Sequence, residues 1–184
     1  MPFSAERPLK IALIGFMGSG KTTIGRALAG LSGLRFIDLD AAIETVAGMS
    51  VGAIFAAEGE AAFRVREAEA LRSLASRRGG MVLSCGGGVV ISEANRATLA
   101  SDFTTVWLDV PFEELMRRLS DEAERETRPL MRSEGYRERA EVLFRSRERL
   151  YREASRIAYR WKAGETADAA ASAIAAMLDA SAGP

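Results

Sequence analysis

The chain has 184 residues, the length of one ordinary domain, and its 48% apolar content is enough for a buried core, which excludes a disordered or fibrous chain. Its 25 basic and 25 acidic residues cancel, which argues against a general nucleic-acid or membrane-surface binder. With no histidine, Ser-His-Asp triads, Cys-His dyads and histidine metal sites are excluded, and the single cysteine, Cys85, cannot form an internal disulfide, a usage that fits a reducing cytosol.

In chain order, Leu9 to Ile14 reads as a strand buried on both faces that runs straight into glycines. Lys21 to Leu31 reads as a helix with Ile24, Leu28 and Leu31 on one stripe. Arg35 to Asp38 is a second strand, and Asp40 is placed at the N-cap of a helix carrying Ile43 and Val46. A helix from Val51 to Ala57 is interrupted at Gly59 and continues from Glu60 to Ser76. Met81 to Ser84 is a third strand, followed by Gly86-Gly87-Gly88, and Ser92 caps a helix to Leu99. Thr104 to Leu108 is a fourth strand, and Pro111 opens a helix through Leu119. Ser120 to Gly135 is polar and dense in charge, and reads either as a solvated loop or as a mobile lid. A helix from Tyr136 to Ala154, a fifth strand near Arg156 to Trp161 and a last helix capped by Thr166 complete the chain. Strands alternating with helices predict a parallel sheet covered on both faces, in a single domain spanning residues 1–184. No apolar run reaches membrane-span length and no signal-peptide-like stretch precedes Lys10, so the expected location is the cytoplasm.

Gly15-Phe16-Met17-Gly18-Ser19-Gly20-Lys21-Thr22 matches G-x-x-x-x-G-K-[ST] in full, between a buried strand and a helix. Glycines allow the backbone to wrap an anion with its N–H groups pointing inward, and the helix beginning near Lys21 adds its positive end. Lys21 then reaches the β- and γ-phosphates, and the Thr22 hydroxyl can ligate Mg²⁺. Lysine is rare in this chain (Lys10, Lys21 and Lys162), so its appearance in the motif stands out. The motif establishes nucleotide binding but not the acceptor.

Asp38-Leu39-Asp40 falls at the end of the second strand, where open parallel sheets bind ligands. If the chain is still extended there, both carboxylates share one side, one to hold Mg²⁺ and the other to accept a proton from an attacking hydroxyl. The plainer alternative is that Asp40 only caps a helix while Asp38 is solvated. Arg64 and Glu67 lie three residues apart on one helix face: either an arginine fork for a carboxylate ligand, oriented by Glu67, or an exposed ion pair worth a few tenths of a kcal/mol. Three consecutive glycines at 86–88 imply close approach of something to the backbone, such as a hydroxyl-rich substrate, or else a plain turn. Cys85 reads as a small buried filler rather than a nucleophile.

Taken together, Gly15-x-x-Gly18-x-Gly20-Lys21-Thr22, Asp38-x-Asp40, Gly59-Glu60-x-x-Phe63-Arg64-x-x-Glu67, Gly86-Gly87-Gly88, Arg128-Pro129-Leu130 and Arg147-x-x-Leu150-Tyr151, in this order, resemble the shikimate kinase family of P-loop proteins. The resemblance covers residues from about Leu9 to Tyr159. It implies a P-loop NTPase-type three-layer α/β/α fold with a five-stranded parallel sheet and a mobile lid at about residues 120–135. It implies ATP-dependent phosphorylation of the 3-hydroxyl of shikimate, with Mg²⁺ accompanying ATP. Lys21, Asp40 and Arg128 would be catalytic. Gly18, Ser19, Gly20, Lys21, Thr22, Thr23 and Arg128 would bind the nucleotide. Asp40, Arg64, Gly86, Gly87, Gly88 and Arg147 would bind the acceptor, and Thr22 and Asp38 would serve the metal. Val51, Phe55, Phe63, Pro129 and Leu130 would line the apolar side of the acceptor pocket. Departures from the family pattern are the long acidic stretch from Asp121 to Glu126, and Arg149 where many members have proline. The adenine contact is left open between Arg117 or Arg118 and the loop near Ala163-Gly164. The expected partners are ATP and a small anionic polyol, with no nucleic acid or membrane, and the expected state is a monomer. Two alternatives remain: another small-metabolite kinase of the same branch, such as a gluconate kinase, and a non-catalytic ATP-binding regulatory module.

Overall fold

The computed structural model describes residues 9–120 and 135–181. The elements are β1 (Lys10–Ile14), α1 (Lys21–Ser32), β2 (Arg35–Asp38), α2 (Leu39–Ala47), α3 (Val51–Ser76), β3 (Met81–Ser84), α4 (Glu93–Asp102), β4 (Thr104–Asp109), α5 (Phe112–Leu119), α6 (Tyr136–Ala154), β5 (Ile157–Arg160) and α7 (Ala167–Ser181). A short 3₁₀ turn, Val89–Ile91, precedes α4. The expected lid, with Arg128, Pro129 and Leu130, lies outside the described residues.

The five strands form one sheet in the order β2-β3-β1-β4-β5, and every pair is parallel. Side chains alternate across it, so a strand buried on both faces feeds two separate cores. In β1, Ile11 and Leu13 point to the face covered by α1 and α7, where they meet Ile24, Leu28, Ile174 and Leu178. Ala12 and Ile14 point to the opposite face and meet residues of α2, α3, α4, α5 and α6, among them Leu39, Phe63, Leu99, Leu115 and Tyr151. This is the three-layer arrangement of a P-loop NTPase fold.

Two details differ from expectation. Leu31 does not join the α1 stripe: it is 60% exposed, while Ala29 is buried beside Leu28. Val46 of α2 is also exposed, and Ile43 with Leu39 supplies that helix's buried face. In α3 the interruption at Gly59 is present as non-helical backbone (φ 82°, ψ 174°), which turns the first two turns of the helix relative to the rest. No single described helix is long and apolar enough to cross a membrane.

Candidate active site

The carboxyl ends of β1, β2 and β3 open into a cavity of about 950 Å³. Gly18, Gly20, Lys21, Thr22, Thr23, Asp38, Asp40, Ser84, Gly86 and Gly87 all line it. Residues far apart in sequence meet there because parallel strands deliver their carboxyl ends to one edge of the sheet.

The loop after β1 uses its glycines for backbone conformation. Gly15, Gly18 and Gly20 have φ of 148°, 77° and 88°. Gly20 is the N-cap of α1 and supplies no side-chain cap, so the first N–H groups of the helix remain available to an anion. The Lys21 ammonium folds over this loop, donating to the Gly15 carbonyl at 2.9 Å, the Phe16 carbonyl at 2.9 Å and Ser19 Oγ at 3.3 Å. Ser19 is buried.

At the end of β2 the two aspartates divide their work differently from expectation. Asp38, not Asp40, is the N-cap of α2: its Oδ1 accepts from the N–H groups of Asp40 at 3.1 Å and Ala41 at 3.3 Å. The helix therefore begins at Leu39, and the extended Asp-x-Asp geometry does not occur. The outcome is nevertheless two carboxylates on the cavity. Asp38 Oδ2 accepts from Thr22 Oγ1 at 3.0 Å, and Thr22 Oγ1 lies 3.3 Å from Ser84 Oγ. This cluster is made of hard oxygen donors, the chemistry that suits Mg²⁺. Among the described residues no group of three or more His, Cys, Asp or Glu side chains could enclose a metal by itself. A metal here would share its coordination with phosphate oxygens and water. Asp40 Oδ1 is buried with no hydrogen-bond partner among the described residues. Burial first, and then the neighbouring Asp38 charge, push the Asp40 pKa above the ordinary carboxylate value, against a lowering by Lys21.

The glycine turn after β3 is explained by what presses on it. A Cβ on Gly86 would lie 2.9 Å from Asp40 Oδ1 and 3.3 Å from Glu67 Oε1. On Gly87 it would make ordinary contact with the phosphate loop, 3.4 Å from Met17 N. On Gly88 it would lie 2.4 Å from Arg64 Nη2. The close approach expected from a substrate is thus made in large part by the protein's own side chains.

Arg64 donates from Nη1 to both oxygens of Glu67, at 3.1 and 3.0 Å, and from Nε and Nη2 to Glu60 Oε1, at 3.3 and 2.9 Å. The exposed-pair alternative fails, because the Glu67 side chain is 0% exposed and that of Arg64 only 21%. Burial raises the Glu67 pKa, and the Arg64 charge opposes this. On α6 the three neighbouring arginines separate cleanly. Arg145 and Arg149 pair with Glu141 and Glu153 in exposed ion pairs. Arg147 turns inward, donates to the Gly87 carbonyl at 3.2 Å, and keeps a buried Nε with no partner among the described residues.

Two further participants, Tyr151 of the Arg147-x-x-Leu150-Tyr151 motif and Ser84, are given no role by the sequence. Tyr151, fully buried, donates its hydroxyl to the same Gly87 carbonyl and stacks on Trp107, with ring centroids 6.3 Å apart. Ser84 looks like any strand residue. Of the two arginines considered for adenine, Arg117 is exposed and clasped by Glu114. Arg118 lines the cavity, with Cζ 4.1 Å over the Trp161 ring and Nη1 3.3 Å from the Gly18 carbonyl. Trp161 lines the cavity, whereas Ala163 and Gly164 do not. Val51 lines it too; Phe63 is buried core, with the Phe55 ring tilted against it at 33° and 4.7 Å between centroids. Cys85 is a buried, unpaired thiol whose pKa burial pushes well up, as expected of a filler.

A phosphate loop at the centre of a parallel sheet, facing acidic and arginine side chains across one cavity, defines a P-loop phosphotransferase. A sequence model of the family described as shikimate kinase matches residues 17–178. The shikimate kinase of Aromatoleum aromaticum is 45% identical over 147 residues, 80% of this chain and 82% of that protein. That of Halorhodospira halophila is 44% identical over 79% of this chain and 80% of its own length. Among solved structures, shikimate kinase from Acinetobacter baumannii in complex with shikimate superposes with a TM-score of 0.86 and 34% identity, covering 97% of each chain. The chain belongs to the shikimate kinase family.

Proposed function

We propose that this chain, as a single kinase domain, transfers the γ-phosphoryl group of ATP to the 3-hydroxyl of shikimate. The observation that carries the chemistry is Asp40: a carboxylate of raised proton affinity, with one buried oxygen lacking a partner among the described residues, on the same cavity as the phosphate loop. In the reaction the acceptor oxygen bonds to the γ-phosphorus, the bond from that phosphorus to the ADP oxygen breaks, and the hydroxyl proton passes to Asp40.

Gly18, Ser19, Gly20 and the first turn of α1, through Thr22 and Thr23, hold the phosphates by backbone N–H groups. The Lys21 ammonium exchanges its loop carbonyls for phosphate oxygens and offsets the charge that gathers on the transferred group. Thr22 and Asp38, with Ser84 behind them, would hold Mg²⁺, which when bound neutralises phosphate charge and orients the chain of phosphates. Arg64 and Arg147 converge on the glycine turn from α3 and α6 and supply two guanidinium groups for the acceptor carboxylate. Gly86, Gly87 and Gly88 keep that approach open. Arg128, outside the described residues, is assigned to the transferred phosphate by family resemblance alone. We take the chain to act as a cytoplasmic monomer on small molecules.

Steady-state ADP release tests the reading. Turnover should depend on shikimate and not on gluconate. Arg64→Ala should raise KM for shikimate and leave KM for ATP unchanged; turnover with gluconate at a comparable rate, or equal rises in both constants, would reject the assignment.

A further inference from the structure

Glu67 and Asn95 are both buried polar side chains, 0% and 1% exposed, and they face each other where α3 packs on α4. Asn95 Nδ2 lies 3.4 Å from Glu67 Oε2, the oxygen that also accepts from Arg64 Nη1 at 3.0 Å. Asn95 is itself held at the start of α4, where its N–H donates to the Oγ of the capping Ser92 at 3.3 Å. Leu99, one turn further along, is core, so position 95 is one where the helix pattern calls for an apolar residue. Burying an amide there is unfavourable unless it is hydrogen-bonded, and its partner is the carboxylate that grips Arg64.

We propose that Asn95 is a positioning residue for the acceptor site: its amide fixes the Glu67 carboxylate, and Glu67 fixes the Arg64 guanidinium against Gly88. The inference rests on the reading of Arg64 as a clamp for the acceptor carboxylate. The clamp needs such support because Arg64 has a competing partner. Its Nε and Nη2 already reach the exposed Glu60, and a Glu67 carboxylate free to rotate releases the guanidinium toward that side. The Asn95 amide limits that rotation from the side of α4.

Asn95→Leu and Asn95→Ala form the test: leucine fills the space of the amide without a donor, and alanine removes both. The measurements are KM for shikimate, KM for ATP, kcat and Tm. KM for shikimate should rise about tenfold in both variants, with KM for ATP unchanged. A shikimate KM unaltered in Asn95→Leu, or both Michaelis constants rising in step with a fall in Tm, would overturn the positioning role. If the void prevents Asn95→Ala from folding, Asn95→Leu alone carries the expectation. The wild-type protein separates the two levels of inference. Absence of shikimate-dependent ADP release from wild type rejects the proposed function, whereas wild-type turnover with an unaltered shikimate KM in Asn95→Ala rejects only the role of Asn95.

Discussion

Gly88→Ala should damage acceptor binding while leaving the fold nearly intact. The new Cβ would sit 2.4 Å from Arg64 Nη2, 2.6 Å from Nη1 and 2.8 Å from Cζ. Non-bonded heavy atoms rest at about 3.5–4 Å, so the guanidinium must retreat by roughly 1 Å. It can do so, because it is the far end of a flexible side chain, and Gly88 itself has φ −104°, which alanine adopts without strain. Loosening the buried Arg64–Glu67 pair should cost about 1.5–3 kcal/mol of folding stability, a Tm shift of roughly 3–12 °C. The retreat breaks the 3.0 and 3.1 Å bonds to Glu67 and moves the fork away from the acceptor. Loss of a hydrogen bond to a charged group is worth about 1.5–3 kcal/mol, which predicts a rise in KM for shikimate of roughly ten- to a hundredfold, with KM for ATP unchanged. Gly30→Ala is the control, since this α1 glycine lies away from the cavity with nothing within 4 Å of its Cβ position, and both constants should stay near wild type. Initial rates at varied shikimate and varied ATP, with thermal melts of the same preparations, decide the matter. A normal shikimate KM in Gly88→Ala, or a large loss of Tm with both constants rising together, would refute the account of the glycine turn.

Lys21→Met removes the ammonium from the phosphate loop and should lower kcat by about two orders of magnitude or more, measured by the same rate assay. Asp40→Asn should abolish most of kcat yet leave ATP binding, followed by calorimetry, near wild type. The pH dependence has a defined sign. The base must be ionised, so kcat/KM falls as pH drops through the Asp40 pKa, which burial and the Asp38 charge place above the ordinary 3.8. Asp38→Asn removes one of those causes and should shift the acid limb to lower pH. For stability the raised pKa means that the folded state binds the proton more tightly, so Asp40 lowers stability as pH rises from 3.8 through its folded value. Asp40→Asn should remove that decline and melt higher than wild type at neutral pH. Cys85, buried with its thiol pKa pushed up, should react with an aromatic disulfide reagent only on unfolding; rapid reaction of the native protein would contradict its burial.

Much of the fold is legible in the sequence because apolar runs and glycines mark the strand ends closely, and the kink at Gly59 falls where the glycine interrupts the helix pattern. The identity of the α2 cap is not legible. Asp38 and Asp40 have the same capping chemistry, and what selects Asp38 is where β2 leaves the sheet, with Asp38 paired to Ser84 of β3. The phosphate loop is local and is read directly from its spacing. The acceptor side is assembled from α3, α4, α6 and the glycine turn, and an Arg-Glu pair at i,i+3 has the same sequence whether exposed or buried. Packing of Asn95 against Glu67 decides that question, and only the tertiary structure shows it. Likewise, Arg145, Arg147 and Arg149 are equivalent in composition, and the face of α6 turned to Gly87 distinguishes Arg147.

The central claim is that Asp40 receives the proton of an alcohol aimed at the γ-phosphorus. A crystal structure of this chain with a non-hydrolysable ATP analogue, Mg²⁺ and shikimate measures it directly. The account predicts the 3-hydroxyl oxygen at roughly 2.6–3.2 Å from an Asp40 carboxylate oxygen and in line with the terminal phosphorus. A ternary complex in which Asp40 points away, or in which another side chain holds that hydroxyl, would contradict it.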